Sequence, residues 1–290
     1  MRRPGLGICK FRADRPCRFG YDPAQLNVGL NTHASCVAFP NPATNVTAEF
    51  LVIFVTLALS GLVKGALGAG LPVVAVPVLA TFFDVPFAIA MMVVPTVVTN
   101  LWQLWQFRRE RTGLGWLAGL CVAAGTGIAI GTWLLANLPS SVLGTILAVM
   151  VIAYIVVRLT KPHWYIPPDI AKRVAPAVGL VSGFLQGATG ISAPISLTFM
   201  SALGLSRQQF VFAISTLFVS FSIVQVPSLV ATGILTWHRL MLSALAFLPI
   251  LVTMPAGNWL ASRMSREAFD RLILALLAVI AVKLVYDSLF

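Results

Sequence analysis

The sequence predicts an all-α integral membrane protein of about eight transmembrane helices, arranged as two homologous four-span halves with a glycine-broken first helix in each half. Three observations predict it. Of 290 residues, 58% are hydrophobic and 10% charged, with a mean hydropathy of +0.91, whereas a soluble domain carries about 25% charged residues. Apolar runs close to the roughly 20 residues that cross about 30 Å of hydrocarbon follow one another along the chain. A glycine-rich segment occurs twice at a fixed spacing.

The elements follow in order. Residues 1–48 are polar and rich in Pro and Arg, without the apolar core of a secretory signal. They are expected to be a disordered cytoplasmic tail or an upstream extension from a misassigned start. Cys9, Cys17 and Cys36 lie there beside His33, but their spacing matches no zinc pattern, so unpaired cytosolic thiols are expected and no metal site. Asn45-Val46-Thr47 has the form of a glycosylation acceptor, which a cytoplasmic tail would never use. Apolar spans are then expected at 50–83, 86–107, 114–135, 142–158, 174–205, 209–232, 240–262 and 271–289. The first and fifth are too long for one straight helix and are interrupted by glycines. Such breaks are tolerated at membrane depth only where protein or a wet cavity satisfies the loosened backbone. Pro95, Pro227, Pro249 and Pro255 are expected to kink spans.

Internal repetition gives the domain organisation. Residues 60–72 read SGLVKGALGAGLP and residues 182–194 read SGFLQGATGISAP. At an offset of 122 they share Ser60/Ser182, Gly61/Gly183, Gly65/Gly187, Ala66/Ala188, Gly68/Gly190 and Pro72/Pro194. Gly131-Thr-Trp133-Leu134 likewise matches Gly257-Asn-Trp259-Leu260. A first transmembrane repeat at 49–161, a cytoplasmic linker at 162–173 and a second repeat at 174–290 follow. Four crossings per half give parallel repeats; if each broken element is a full hairpin, the crossings become odd and the repeats inverted.

Charge supplies orientation and excludes some functions. The net charge is +11, yet the Lys and Arg residues form short clusters between apolar runs instead of a groove-sized patch, which argues against nucleic acid. On an eight-crossing reading, the tail, Arg108, Arg109, Arg111, Arg158, Lys161, Lys172, Arg173 and Arg239 share one side, opposite Arg207, Arg263, Arg266 and Arg271. The positive-inside rule then makes both termini cytoplasmic. Trp102, Trp105, Trp116 and Trp237 fall near the same interface. His33, His163 and His238 lie in the tail or loops, with no HExxH and no Walker loop, so no catalytic residue, cofactor or enzymatic role is expected.

The glycine break in each first span, the Pro that follows it, the basic turn Arg108-Arg109-Glu110-Arg111-Thr112-Gly113 and the later Gly-x-Trp-Leu together resemble the sulfite exporter TauE/SafE family, over residues 49–289. The resemblance implies a transporter of sulfur-containing and organic anions, such as sulfite and sulfonates, across the bacterial cytoplasmic (inner) membrane, for export in some members and uptake in others. The chain departs from the family pattern at Lys64, where the usual residue is uncharged, and at Ile191-Ser192, where more glycine is common.

The residues support the same chemistry independently. Paired glycine-interrupted segments in two halves point to a transporter's binding site. Glycine lets a helix unwind, and freed N–H groups with the N-terminus of the next half-helix favour an anion. Pro72 and Pro194 suit the first turn of that half-helix. Gly65, Gly68, Gly70, Gly187, Gly190 and Ser192 are therefore candidate substrate-binding residues, while Gly61-x-x-x-Gly65 and Gly183-x-x-x-Gly187 also read as close-packing motifs. Lys64 lies about 21 Å along a helix begun at Phe50. A buried ammonium marks a functional site unless it snorkels to an interface. Its repeat mate is Gln186, and the two are expected to flank one oxyanion site. Asn100 and Thr216, with Thr96, Thr99, Ser215, Ser220 and Gln225, are further donors that either line the site or join helices. Expected partners are a small anion, the lipid bilayer and, in a homo-oligomer, further copies of the chain. No acidic residue lies deep in a span, so a carboxylate proton relay is not expected. Export, which the interior-negative potential favours for an anion, does not need one. A passive channel or a subunit of a larger complex is the competing reading.

Overall fold

The computed structural model describes residues 46–68, 70–111, 113–160, 165–263 and 266–289. The expectations for residues 1–45, including Cys9, Cys17, Cys36, His33 and Asn45, fall outside them. Among the described residues, eleven α-helices run in the order α1 (Val46–Leu67), α2 (Leu71–Ala80), α3 (Val85–Met91), α4 (Val93–Gln106), α5 (Leu117–Asn137), α6 (Ser140–Thr160), α7 (Pro168–Thr189), α8 (Ala193–Ser201), α9 (Arg207–Ala231), α10 (Trp237–Arg263) and α11 (Arg266–Leu289). There is no strand among them. The tail boundary expected at residue 48 falls inside α1.

Among the described residues, five segments are long and apolar enough to span a membrane: Val85–Gln106, Leu117–Asn137, Ser140–Val157, Arg207–Ala231 and Trp237–Leu260. Their outward faces carry aliphatic side chains, with Val122 77%, Val252 76% and Ile223 68% exposed. So much exposed aliphatic surface suits lipid and not water. The chain is a multi-pass membrane protein.

Backbone conformation explains where α1 and α7 stop. Gly68 (φ 75°) and Gly70 (φ 95°) follow α1, and Gly190 (φ 73°) follows α7, in the left-handed region that a Cβ disfavours. The Gly68 N–H donates to the Lys64 carbonyl and the Gly190 N–H to the Gln186 carbonyl, each at 2.8 Å. Pro72 and Pro194 then stand in the first turns of α2 and α8, where a missing N–H leaves no helical bond unmade.

Glycine contacts fix the direction in which the chain then runs. A Cβ on Gly61 would meet Ile250 and Thr253, and one on Gly65 would meet Met254 and Asn258, so α1 and α10 run parallel. In the same way Gly179, Gly183 and Gly187 meet Leu120, Ala124 and Ile128, so α7 and α5 run parallel. These are backbone-to-backbone approaches that only small residues allow. The Ile166 N–H donates to the Ala202 carbonyl at 2.8 Å, which brings the end of α8 beside the start of α7. Past the end of α2, the Thr81 carbonyl accepts from Lys283 Nζ at 3.0 Å, near the end of α11.

Of the prolines expected to kink spans, Pro95 has a visible effect. It lacks the N–H that would bond the Met91 carbonyl, and α3 and α4 separate at Met92. Ser243 Oγ of α10 donates to the Met91 carbonyl at 2.9 Å and accepts from the Val94 N–H at 3.1 Å, so both loosened backbone groups are satisfied. Helices α9 and α10 continue through Pro227, Pro249 and Pro255.

Candidate binding cleft

A cleft of about 340 Å³, its open mouth included, lies between the two breaks. Pro72 and Val76 of α2 line one wall, Gln186 and Gly190 another, and Thr96, Ser222 and Gln225 complete it with the apolar side chains of Ile89, Met92, Val93 and Val226. Its polar groups are amides and hydroxyls, and among the described residues no charged side chain lines it. Gln186 Oε1 and Thr96 Oγ1 are buried and make no hydrogen bond within the protein. Buried polar atoms are rarely left so, and those that are often belong to a functional site. Through Pro72 the cleft also meets the first turn of α2, the partly positive end of that helix, where the Val73 N–H is bonded to the Gly70 carbonyl.

A second polar cluster begins one helical turn along α4. Lys64 Nζ, on a side chain only 2% exposed, donates to Asn100 Oδ1 at 2.9 Å. The Asn100 amide donates in turn to the Thr96 carbonyl at 2.7 Å. Gln103 Nε2 donates to the Gly68 carbonyl at 3.1 Å, and its Oε1 accepts from Ser215 Oγ at 3.1 Å. Helix α4 thus ties the first break to α9. At the second break Gln225 Nε2 of α9 donates to the Gln186 carbonyl at 3.3 Å.

The candidate residues divide accordingly. Pro72, Gln186 and Gly190 meet in the cleft, together with Thr96 and Gln225. Lys64 and Asn100 pair outside its lining, so Lys64 and Gln186 do not face each other across it. Gly65 and Gly187 lie in the packing seams against α10 and α5. Gly68 and Gly70 shape the first break. Ser192 Oγ accepts from Ser196 Oγ at 3.3 Å, and Pro194 stands in the first turn of α8. Thr216 Oγ1 donates to its own helix at the Phe212 carbonyl. Sequence reasoning passed over Gln103 and Ser222. The offset of 122 pairs Gln103 with Gln225 and Asn100 with Ser222, and extending the repeat past Pro72 would have found them.

A family model described as "Sulfite exporter TauE/SafE" matches residues 53–284. No curated protein and no solved structure matches the chain.

Proposed function

Because the chain belongs to the sulfite exporter TauE/SafE family, we propose that it is a carrier of small oxyanions, sulfite and organosulfonates being the class, across the bacterial cytoplasmic membrane. The cleft between the two breaks carries this reading: its hydroxyl and amide groups, with the first turn of α2, offer donors to an oxyanion. Among the described residues no carboxylate lines it to repel one, and Lys64 pairs with Asn100, one helical turn along α4 from Thr96. An uncoupled carrier would run outward, since expelling one negative charge from a negative interior gains about 2.3 kcal/mol per 100 mV. The deciding experiment is counterflow of labelled sulfite and methanesulfonate in proteoliposomes. Saturable flux accelerated by anion on the far side marks a carrier, and linear flux without acceleration marks the rival passive channel.

The proposed layout is two inverted repeats, 49–161 and 174–290, joined by 162–173. Each begins with a hairpin (α1–α2, α7–α8) and continues with three crossings. The Ile166–Ala202 bond, which brings the end of α8 beside the start of α7, supports it. Following the crossings, Arg108, Arg109, Arg111, Arg158, Lys172, Arg173, Arg207 and Arg263 gather at one end. The short connections at the other end, 81–84, 138–139 and 232–236, hold no Lys or Arg. The positive-inside rule makes the basic end cytoplasmic, which turns the termini outward, opposite to the side expected from four crossings per half.

A further inference from the structure

We propose that Lys64 is the proton site of this carrier: its amine takes up one proton as an oxyanion enters the cleft and releases it as the anion leaves. The proposal rests on the carrier reading and adds to it the ion that drives transport.

The argument starts from the company Lys64 keeps. Its Nζ bonds a neutral amide oxygen, Asn100 Oδ1. That amide is held in the accepting orientation because its N–H group is committed to the Thr96 carbonyl. The elements around Lys64 bring no carboxylate: α2 and α4 contain no charged residue, α9 has only Arg207 at its start, and α10 has His238 and Arg239 at one end and Arg263 at the other. The stretch of α10 that meets α1, from Ile250 to Asn258, is uncharged. On α1 itself the other ionisable residue is Glu49, four turns away.

An ammonium buried beside neutral groups is unfavourable unless an anion accompanies it or it sheds its proton. Two states of the site are therefore favourable: the neutral amine with the cleft empty, and the ammonium with an anion close by. The Asn100–Thr96 link sets Lys64 one turn from the cleft, and in a poorly screened interior charge attraction acts over that range without direct contact. Linkage then requires that anion binding favour protonation and protonation favour anion binding equally. In the step, the amine lone pair forms one N–H bond to an incoming proton, and no bond in the anion changes. Proton and anion enter together and leave together, so net flow follows the pH gradient. This accounts for how coupling can occur in spans that lack an embedded Asp or Glu.

The test uses proteoliposomes loaded with a pH dye, with methanesulfonate as the anion because it stays ionised throughout the range used. Two activities are read: one-for-one exchange, which needs no net proton movement, and net transport down an anion gradient. In the wild type, net methanesulfonate transport should carry about one proton per anion. Lys64→Arg should keep exchange within several-fold while losing the accompanying proton flux by about tenfold or more, because its side chain cannot cycle a proton, whereas Lys64→Gln, which lacks the charge, should lose the proton flux and also need a higher anion concentration for exchange. Arginine is the decisive variant, since it restores a purely electrostatic role but not a proton-carrying one. Proton-free net transport by the wild type would overturn the proposal whatever the variants do, as would proton flux retained in Lys64→Arg. Absence of any exchange by the wild type would instead overturn the carrier reading itself.

Discussion

The side-chain amide of Gln103 holds the carbonyl of Gly68, 3.1 Å away, at the point where α1 ends. Gln225 does the same for the Gln186 carbonyl at the end of α7, at 3.3 Å. The two glutamines sit 122 residues apart; Gln103 serves the Gly68 carbonyl beyond the last turn of α1, and Gln225 adds a second bond to a carbonyl that already accepts from the Gly190 N–H. Gln103→Leu should destabilise the protein by about 1–3 kcal/mol, the cost of an orphaned buried acceptor, and Gln225→Leu by less, because the Gln186 carbonyl keeps the Gly190 N–H. Transport should fall further than stability does, since the breaks shape the cleft. Thermal unfolding in detergent beside initial transport rates checks both.

Within the cleft, Gln186→Leu and Thr96→Val remove a donor each while keeping volume. The expected outcome is a rise in apparent KM for sulfite of about tenfold per donor, equivalent to about 1.4 kcal/mol. Lys172→Gln, on the exposed face of α7, should leave KM unchanged. A KM unmoved by both cleft variants would put the binding site elsewhere.

Gly65→Ala and Gly187→Ala should destabilise by about 1–3 kcal/mol through overpacking, because the added methyl meets backbone of α10 or α5. Gly144 of α6 has open space around it, so Gly144→Ala should be neutral or stabilising by up to about 1 kcal/mol. Comparing unfolding midpoints of the three variants separates a packing role from a general intolerance of change.

Loss of the Ser243 hydroxyl leaves the Met91 carbonyl and the Val94 N–H unpaired. Ser243→Ala should cost about 1–3 kcal/mol. Ser243→Cys, which keeps a weak donor, should recover part of it. Unfolding midpoints of the two variants provide the check.

Impermeant thiol reagents test the layout. In a background lacking the native cysteines, Arg109→Cys and Arg263→Cys should be labelled from the same side, and Pro139→Cys and Gly233→Cys from the other. Labelling of Arg109→Cys and Arg263→Cys from opposite sides would restore the four-crossing arrangement.

Glycine and proline leave a local signature that a sequence can show: at an offset of 122, Gly68 and Gly190 have matching φ values, and Pro72 and Pro194 stand in the first turns of the next helices. The direction taken after each break was not legible. A glycine that kinks a helix and one that reverses the chain look the same in sequence, and the contact that bears on the question at the second break, Ile166 with Ala202, spans residues far apart. Gly65 and Gly187 show a second limit, since a packing glycine and a ligand-approach glycine differ only in what lies opposite. Lys64 was conspicuous as a lone charge in an apolar run. Its partner Asn100, 36 residues on, could not be chosen among the many polar residues of the spans.

The seam between α1 and α10 also bears on how the protein is made. Gly61 and Ile250, which meet there, are separated by most of the chain. At a synthesis rate of about 5–20 residues per second, α1 leaves the ribosome roughly 10–40 s before α10 exists. During that wait Lys64 lacks its final surroundings, and the narrow glycine face of α1 has nothing to close on. Biogenesis therefore needs a temporary companion for α1, either the insertion machinery or α2 folded back upon it, and the last third of the chain determines whether the first helix ever settles.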